Sequence, residues 1–104
     1  MSLIKEYSEF VESVMLTEGQ TRLIENTLGL VGETGEIAEK IKKFFRDGNI
    51  DKDDIQKELG DVTFYLFALH GALDLDPNET IKINMKKLQS RKDRGVLRGS
   101  GDNR

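Results

Sequence analysis

Residues 33–37 read Glu-Thr-Gly-Glu-Ile and residues 58–62 read Glu-Leu-Gly-Asp-Val, so one phrase of acid, any residue, glycine, acid and aliphatic residue occurs twice, 25 positions apart. Within each copy the two acids are three residues apart, which on a helix places them on one face, roughly 5–6 Å apart at Cβ. Like charges at this distance repel each other. The repeat therefore predicts two matched carboxylate pairs that need a cation between them.

The sequence around the repeat predicts helices. Apolar residues recur at helical intervals in four segments, residues 2–17, about 21–47, 51–73 and 76–91. Asp51 and Asp76 are suitable N-caps, and Pro77 follows the second of them at the position where its missing N–H costs nothing. No segment shows sustained alternation of apolar and polar residues. Four helices joined by short turns predict an all-α protein resembling a four-helix bundle.

Length and composition set the limits of this fold. A chain of 104 residues is expected to form one domain, here residues 1–94, followed by a flexible, glycine-rich, basic tail at 95–104. Cysteine is absent, which excludes disulfides, thiolate zinc sites and cysteine nucleophiles and suits a reducing compartment. Neither a signal peptide nor a long apolar run is visible. We therefore expect a soluble cytoplasmic protein with no membrane partner.

The charges are unevenly distributed along the chain. From Lys82 onward there are eight Lys/Arg and two Asp, whereas the preceding residues hold eight basic and seventeen acidic side chains. Charges that serve only to solvate the surface would not be expected to separate along the chain in this way. The distribution indicates an acidic centre and a basic end that together suit a metal and an anion.

The two acid pairs occupy equivalent positions on their helices. At 100° per residue, Glu33 and Glu58 lie about 60° from the centre of their helix's apolar stripe, and Glu36 and Asp61 lie about 120° from it. One acid on a helix flank is usually just solvated, but four in a repeat are harder to explain in that way. If helices two and three pack antiparallel, both pairs reach one site beside the core.

Each acid pair also encloses a glycine. Gly35 and Gly60 lie inside predicted helices, where each costs about 1 kcal/mol relative to alanine. Two explanations remain open, a close helix crossing or space for a ligand beside the carboxylates. Both are consistent with a shared site.

The chemistry of the predicted ligands selects the metal. Four carboxylates without cysteine or paired histidine suit a hard cation, Mg²⁺ with Mn²⁺ as a substitute, rather than zinc. Magnesium bound by carboxylates commonly keeps positions open for water and for substrate phosphates.

An E-x-x-E pair, 21 intervening residues and an E-x-x-D pair within K-E-L-G-D form a pattern that resembles the MazG-like all-α nucleoside triphosphate pyrophosphohydrolases. The segment L-G-D-V-T-F-Y-L and the later N-M-K-K-L-Q-S-R resemble successive blocks of that family, so the likeness covers roughly residue 28 onward. It implies Mg²⁺-dependent hydrolysis of (d)NTP to monophosphate and pyrophosphate by a homodimer or homotetramer. Related phosphoribosyl-ATP pyrophosphohydrolases and dimeric dUTPases leave the base and sugar open.

The resemblance also assigns the acids. It makes Glu33, Glu36, Glu58 and Asp61 the metal ligands. One carboxylate instead serves as the base for the attacking water, and Glu36 is the candidate for that catalytic role. The implied reaction is attack of water on the α-phosphorus with pyrophosphate leaving.

Basic and amide side chains are the candidate phosphate ligands. The resemblance assigns Asn84, Lys87 and Arg91 to this role, and their i, i+3, i+7 spacing independently places them on one helix face. Lys40 and Lys43 lie one and two turns beyond the first acid pair and are further candidates, although an ordinary solvated flank explains each of them equally well.

Two other functions compete with hydrolysis. A catalytically silent helical module whose acids bind metal or a basic partner would bind Mg²⁺ without turnover. A nucleic-acid grip along residues 82–104 is disfavoured, because that segment has no aromatic residue for base stacking and the acidic helices repel a phosphate backbone.

Aromatic residues suggest assembly. Phe64 and Phe67 lie well away from the apolar centre of the third helix, which is therefore apolar on more than one side. We expect a homo-oligomer to cover this surface.

Overall fold

A computed structural model describes residues 2–104, and within that range the chain forms four α-helices and no strand. The helices are α1 (Leu3–Ser13), α2 (Gly19–Asp47), α3 (Lys52–Ala72) and α4 (Pro77–Asp93). The all-α class predicted from the sequence is confirmed. The chain divides into two compact units, the first ending at Asp74 with α1 to α3 and the second spanning Leu75–Arg104 with α4.

The helix boundaries at the turns follow the capping residues. Gly48 ends α2 in the left-handed conformation, with φ of 82°, and its N–H donates to the carbonyl of Phe44. The Asp51 side chain accepts from the N–H of Asp54 at 3.2 Å, and the Asp76 side chain accepts from the N–H of Asn78 at 2.9 Å. Both predicted N-caps are confirmed, because each satisfies an N–H that the helix leaves unpaired.

The first helix is shorter than its apolar pattern predicts. It ends at Ser13 instead of continuing to residue 17, and α2 begins at Gly19, about two residues earlier than expected. In the connection that follows, the amide nitrogen of Asn26 on α2 donates to Sδ of Met15 at 3.7 Å. Residues 14–18 thus link α1 to α2 where the apolar pattern predicted a further helical turn.

The central feature of the first unit is an antiparallel hairpin of α2 and α3. Only residues 48–51 connect the two helices, and such a short connection makes consecutive helices antiparallel neighbours. Gly29 in the first half of α2 lies against Tyr65 in the second half of α3, and Lys40 late in α2 pairs with Asp54 early in α3. The two helices therefore pack antiparallel.

A buried arginine holds α1 to this hairpin. Arg22 of α2 is only 8% exposed, and it donates to the Glu12 carboxylate of α1 and, at 3.0 Å, to the carbonyl of Ala68 on α3. Gly71 leaves room for the ion pair, because a Cβ there would collide with both the carboxylate and the guanidinium. One side chain thus links all three helices of the unit.

The apolar core of residues 2–104 is small. Val11 and Ala68 are the fully buried apolar side chains of that range, whereas Leu59 and Leu66 are 51% and 43% exposed. Both leucines lie at apolar positions of α3, yet in the single chain α3 meets α2 through Tyr65. None of the helices described within residues 2–104 has the length and apolarity needed to cross a membrane.

The Gly29 contact allows a test of the hairpin. Gly29→Ala should lower the free energy of unfolding by about 1–3 kcal/mol, because its Cβ would overlap the Tyr65 ring and force the helices apart. Gly32→Ala on the same helix is the matched control, since its Cβ meets nothing within 4 Å and should stabilise by up to about 1 kcal/mol. Urea denaturation measures both, and equal stability of the two variants would contradict the packing.

Candidate active site

Three carboxylates meet between α2 and α3. Each of Glu33, Glu36 and Glu58 offers a ligand oxygen, and these three oxygens all lie within 4.8 Å of one another. Glu33 and Glu36 share one face of α2 and Glu58 faces them from α3, as the antiparallel register requires. We call these three residues the carboxylate cluster. Glu33 and Glu58 are partly buried, while Glu36 is exposed, so one side of the cluster is open to solvent.

Two oxygens of the cluster need a partner. The Oε2 atoms of Glu33 and Glu58 are buried and accept no hydrogen bond from any group in residues 2–104. A buried carboxylate oxygen left in this state is costly, and a bound ion or an ordered water is one of the arrangements that would satisfy it. A hard cation fits this donor set, because it binds carboxylate oxygens and neutralises their charge.

The electrostatics of the cluster agree with this requirement. The pKa of Glu36 is raised above its usual value of 4.5, chiefly by its hydrogen bond with the Glu58 carboxyl and also by the charge of that group. The pKa of Glu58 is likewise raised, first through its hydrogen bond with Glu33. The carboxyls of Glu36 and Glu58 therefore hold their protons more tightly than isolated glutamates do, and a bound cation would lower both pKa values.

Lys40 supplies part of the missing positive charge. Its ammonium pairs with the Asp54 carboxylate and lies 4.0 Å from Oε1 of Glu58. The sequence suggested Lys40 as a phosphate ligand, and the structure adds Asp54, in the first turn of α3, as its partner. The pairing joins residues 14 positions apart, and the antiparallel register of α2 and α3 was the signal that could have predicted it.

Asp61, the fourth predicted ligand, lies one turn beyond Glu58 on α3 and is exposed. It stands outside the group of three whose oxygens lie within 4.8 Å. Its charge nevertheless contributes to the raised pKa of Glu36 and to that of Tyr7. Asp61 is therefore part of the electrostatic surroundings of the carboxylate cluster.

Next to the cluster, the turn between α2 and α3 forms a polar cavity of about 280 Å³. Its lining includes Lys40, Lys43, Asp47, Asn49, Asp54 and Ile55. The second predicted lysine, Lys43, thus lines the same cavity as Lys40. This places two cationic side chains beside a polar cleft on the hairpin.

The remaining predicted phosphate ligands belong to α4 in the second unit. Lys87 and Arg91 both contact the carboxylate of Asp102, at 3.1 Å and 3.4 Å, and Asn84 is exposed. Their i, i+3, i+7 spacing falls within the helix Pro77–Asp93. Their role in phosphate binding remains a prediction.

The structure also bears on the two glycines enclosed by the acids. A Cβ at Gly35 or at Gly60 would meet nothing within 4 Å, whereas the close helix approach occurs at Gly29. Within residues 2–104, a close helix crossing therefore does not explain Gly35 and Gly60. Open space beside the carboxylates is the remaining explanation of the two that the sequence left open.

Fold and site together define the class of protein, an all-α protein whose two central helices bring acids from a repeated motif to one place. Comparison with known families specifies it further. Residues 20–96 match the model of the MazG nucleotide pyrophosphohydrolase domain. The chain belongs to this family.

The chain is also similar to an individual protein. The chain is 55% identical over 83 residues to the Gene 37 protein of Mycobacterium phage L5, an alignment that covers 75% of this chain and 73% of the phage protein. No solved structure is a significant match. The phage protein's name indicates no activity, so the chemistry has to be argued from the site.

Metal binding by the carboxylate cluster is directly testable. Adding Mg²⁺ or Mn²⁺ should raise the melting temperature of the protein, because the cation binds the folded cluster and not the unfolded chain. Glu58→Gln should remove most of this rise, since it deletes the charge that α3 contributes. Glu39→Gln is the matched control, an exposed residue of α2 that pairs only weakly with Lys42 at 3.9 Å.

Differential scanning fluorimetry with and without the metal makes the comparison. The control should shift as much as the unmodified protein does. An equal metal-induced shift in Glu58→Gln would exclude the carboxylate cluster as the binding site.

Proposed function

We propose that the protein is a Mg²⁺-dependent nucleoside triphosphate pyrophosphohydrolase that cleaves (d)NTP to (d)NMP and pyrophosphate. The observation that carries the proposal is the carboxylate cluster, in which two buried oxygens lack partners and the charges of two helices converge. Membership of the MazG family supplies the reaction class. Base and sugar preferences are not part of the proposal.

Glu33, Glu36 and Glu58 would hold the metal, with Asp61 as the fourth proposed ligand. When bound, Mg²⁺ supplies charge neutralisation and polarisation of phosphate oxygens. The protein's own task is then to keep four acidic groups in register on two helices. All four lie on the two helices of the antiparallel hairpin and not on flexible loops, which favours precise positioning.

Glu36 is the proposed general base. It is the exposed member of the carboxylate cluster, so water reaches it, and its pKa is raised mainly by the hydrogen bond with Glu58. A carboxylate with a raised pKa accepts a proton from water more readily than an ordinary glutamate does. Glu58 and Glu33, which are less exposed, are better suited to binding than to proton transfer.

Cationic side chains would neutralise the substrate. Lys40 already lies 4.0 Å from Glu58, and Lys43 lines the cavity beside it, so both can meet phosphate oxygens approaching the hairpin. For Asn84, Lys87 and Arg91 we propose contacts with phosphate oxygens on the basis of their charge, their amide group and their common helix face. Fixed charges of this kind stabilise the negative charge that develops during phosphoryl transfer.

A nucleotide panel tests the reaction. Incubation of the protein with Mg²⁺ and with natural and modified nucleoside triphosphates should produce monophosphate and pyrophosphate, separated by ion-exchange chromatography. Asp61→Asn should reduce kcat by at least about 100-fold, as loss of an electrostatic group does in comparable sites, while circular dichroism stays unchanged. Asp53→Asn, an exposed acid in the first turn of the same helix, should leave kcat nearly unchanged.

The possible outcomes discriminate between the candidate functions. Release of orthophosphate instead of pyrophosphate would refute cleavage at the α-phosphorus. Metal binding without turnover of any nucleotide would favour the silent regulatory module. An active Asp61→Asn variant would remove Asp61 from the site.

We further propose that the protein works as a homodimer or homotetramer. Ile24, Leu28 and Val31 follow one another at i, i+4, i+7 on α2 and are 56%, 64% and 63% exposed. On α3, Leu59 and Leu66 are also substantially exposed. Apolar side chains in such a row on the helices that carry the acids are typical of a surface covered by another copy.

Sedimentation equilibrium tests this assembly. The protein should sediment as a dimer or tetramer at micromolar concentration, and Leu28→Glu should shift it toward monomer, because a buried charge in an apolar interface is costly. Gln56→Glu adds the same charge at an exposed polar position of α3 and should leave the assembly intact. A monomer in the unmodified protein would contradict the proposal.

A further inference from the structure

Arg91 is almost enclosed within the second unit. It is 4% exposed, although arginine is rarely buried without a specific partner. Its Nη2 donates to the carbonyls of Gly101 and Asp102 at 3.3 Å and 2.9 Å and lies 3.4 Å from Oδ1 of Asp102. These hydrogen-bond partners lie in residues 95–104, which we call the tail segment.

Lys87 makes contact with the same carboxylate. Its Nζ lies 3.1 Å from Oδ1 of Asp102, so a single oxygen is shared by an ammonium and a guanidinium that are one helical turn apart. Two convergent cations around one oxygen are the arrangement with which proteins bind phosphate. Asp102 therefore occupies a position that an anion oxygen would otherwise take.

The tail segment is closed by its own hydrogen bonds. Arg104 donates to the carbonyls of Val96 and Leu97 at 3.2 Å and 3.0 Å, and Arg94 donates to the carbonyl of Arg104 at 2.6 Å. Gly101 has a φ of 86°, a conformation that favours glycine and turns the chain so that Asp102 meets α4. The segment is therefore an ordered loop that folds back on its helix.

The contact between Asp102 and the two cations is suited to exchange. The Asp102 side chain is 83% exposed, and an ion pair to an exposed carboxylate adds little free energy. In addition, Nε of Arg91 is buried and bonds to nothing within residues 2–104. A phosphate group carries more charge and more acceptor oxygens than one carboxylate, and it can use that free donor.

We propose that Asp102 is an internal competitor for phosphate at Lys87 and Arg91, and that the tail segment has to leave Arg91 before a phosphate-bearing ligand binds there. The inference rests on the proposed phosphate role of these two residues and adds a regulation of that role. A tail segment that clamps onto a bound phosphate is the opposite arrangement, and it predicts opposite experimental results.

Pyrophosphate binding to the full chain tests the competition. Asp102→Asn should tighten the dissociation constant of inorganic pyrophosphate by about two- to fivefold, because the competing charge is lost. Asp93→Asn removes the same charge from an exposed acid that accepts only from Gln89, at 2.9 Å, and should leave the constant unchanged. Isothermal titration calorimetry without Mg²⁺ measures all three proteins.

A second substitution tests whether the gain in pyrophosphate affinity depends on Lys87. In the double variant Asp102→Asn with Lys87→Gln, the tightening should disappear, since the released cation is no longer there. Weaker or unchanged binding in Asp102→Asn, or no pyrophosphate binding by any of the proteins, would overturn the proposal.

Hydrogen exchange gives a readout independent of affinity. Pyrophosphate should accelerate amide exchange in the tail segment of the unmodified protein, and in Asp102→Asn the same acceleration should occur at a lower pyrophosphate concentration. Slower exchange of the tail segment on pyrophosphate binding would establish the clamp instead.

These experiments do not depend on turnover. If Asp102→Asn binds pyrophosphate more tightly but no nucleotide is hydrolysed, the inference stands and the proposed enzymatic function is refuted. If nucleotides are hydrolysed but Asp102→Asn binds pyrophosphate with unchanged affinity, only the inference is refuted.

Discussion

The carboxylate cluster depends on the antiparallel register of α2 and α3. Residues 48–51 connect the helices, and the contact of Gly29 with Tyr65 sets how closely they approach. Given that register, a motif placed midway along α2 meets a motif placed early in α3. A shift of one turn, about 5.4 Å, would separate Glu58 from the acids that it faces. Packing one helical turn away from the acids therefore determines how closely the acids meet.

The hairpin holds mutually repelling carboxylates together, and neighbouring groups offset part of this repulsion. Lys40 offsets part of the negative charge through Asp54 and Glu58, and the raised pKa values of Glu36 and Glu58 reflect the repulsion that remains. The Oε2 atoms of Glu33 and Glu58 nevertheless remain buried without hydrogen-bond partners. Buried oxygens that lack partners are costly, and this cost is what supports the proposed cation site. Arg22 and Glu12, further along the hairpin, show the contrasting case of an ion pair whose charges are already matched.

Much of this arrangement could be predicted from the sequence, because capping and periodicity are local properties. Asp51, Asp76 and Gly48 mark helix ends wherever the helices pack, and the repeated acids fall at equal angles on their helices. Contacts between residues that are far apart in the sequence were harder to predict. The pairing of Asp54 with Lys40 follows only once the antiparallel register is known, and Leu59 and Leu66 have the spacing of core residues although they remain substantially exposed. Periodicity shows that a face is apolar, but it does not show which surface covers that face.

The most direct test of the central claim, that acids from two helices serve one cation, is a double-mutant cycle on Mn²⁺ affinity. Electron paramagnetic resonance titration would compare the unmodified protein with Glu33→Gln, Glu58→Gln and the double variant. If both carboxylates hold the same ion, each single variant should lose most of the affinity, and the double variant should lose clearly less than the sum of the two losses. Strictly additive losses, or a single variant that keeps full affinity, would contradict the shared site.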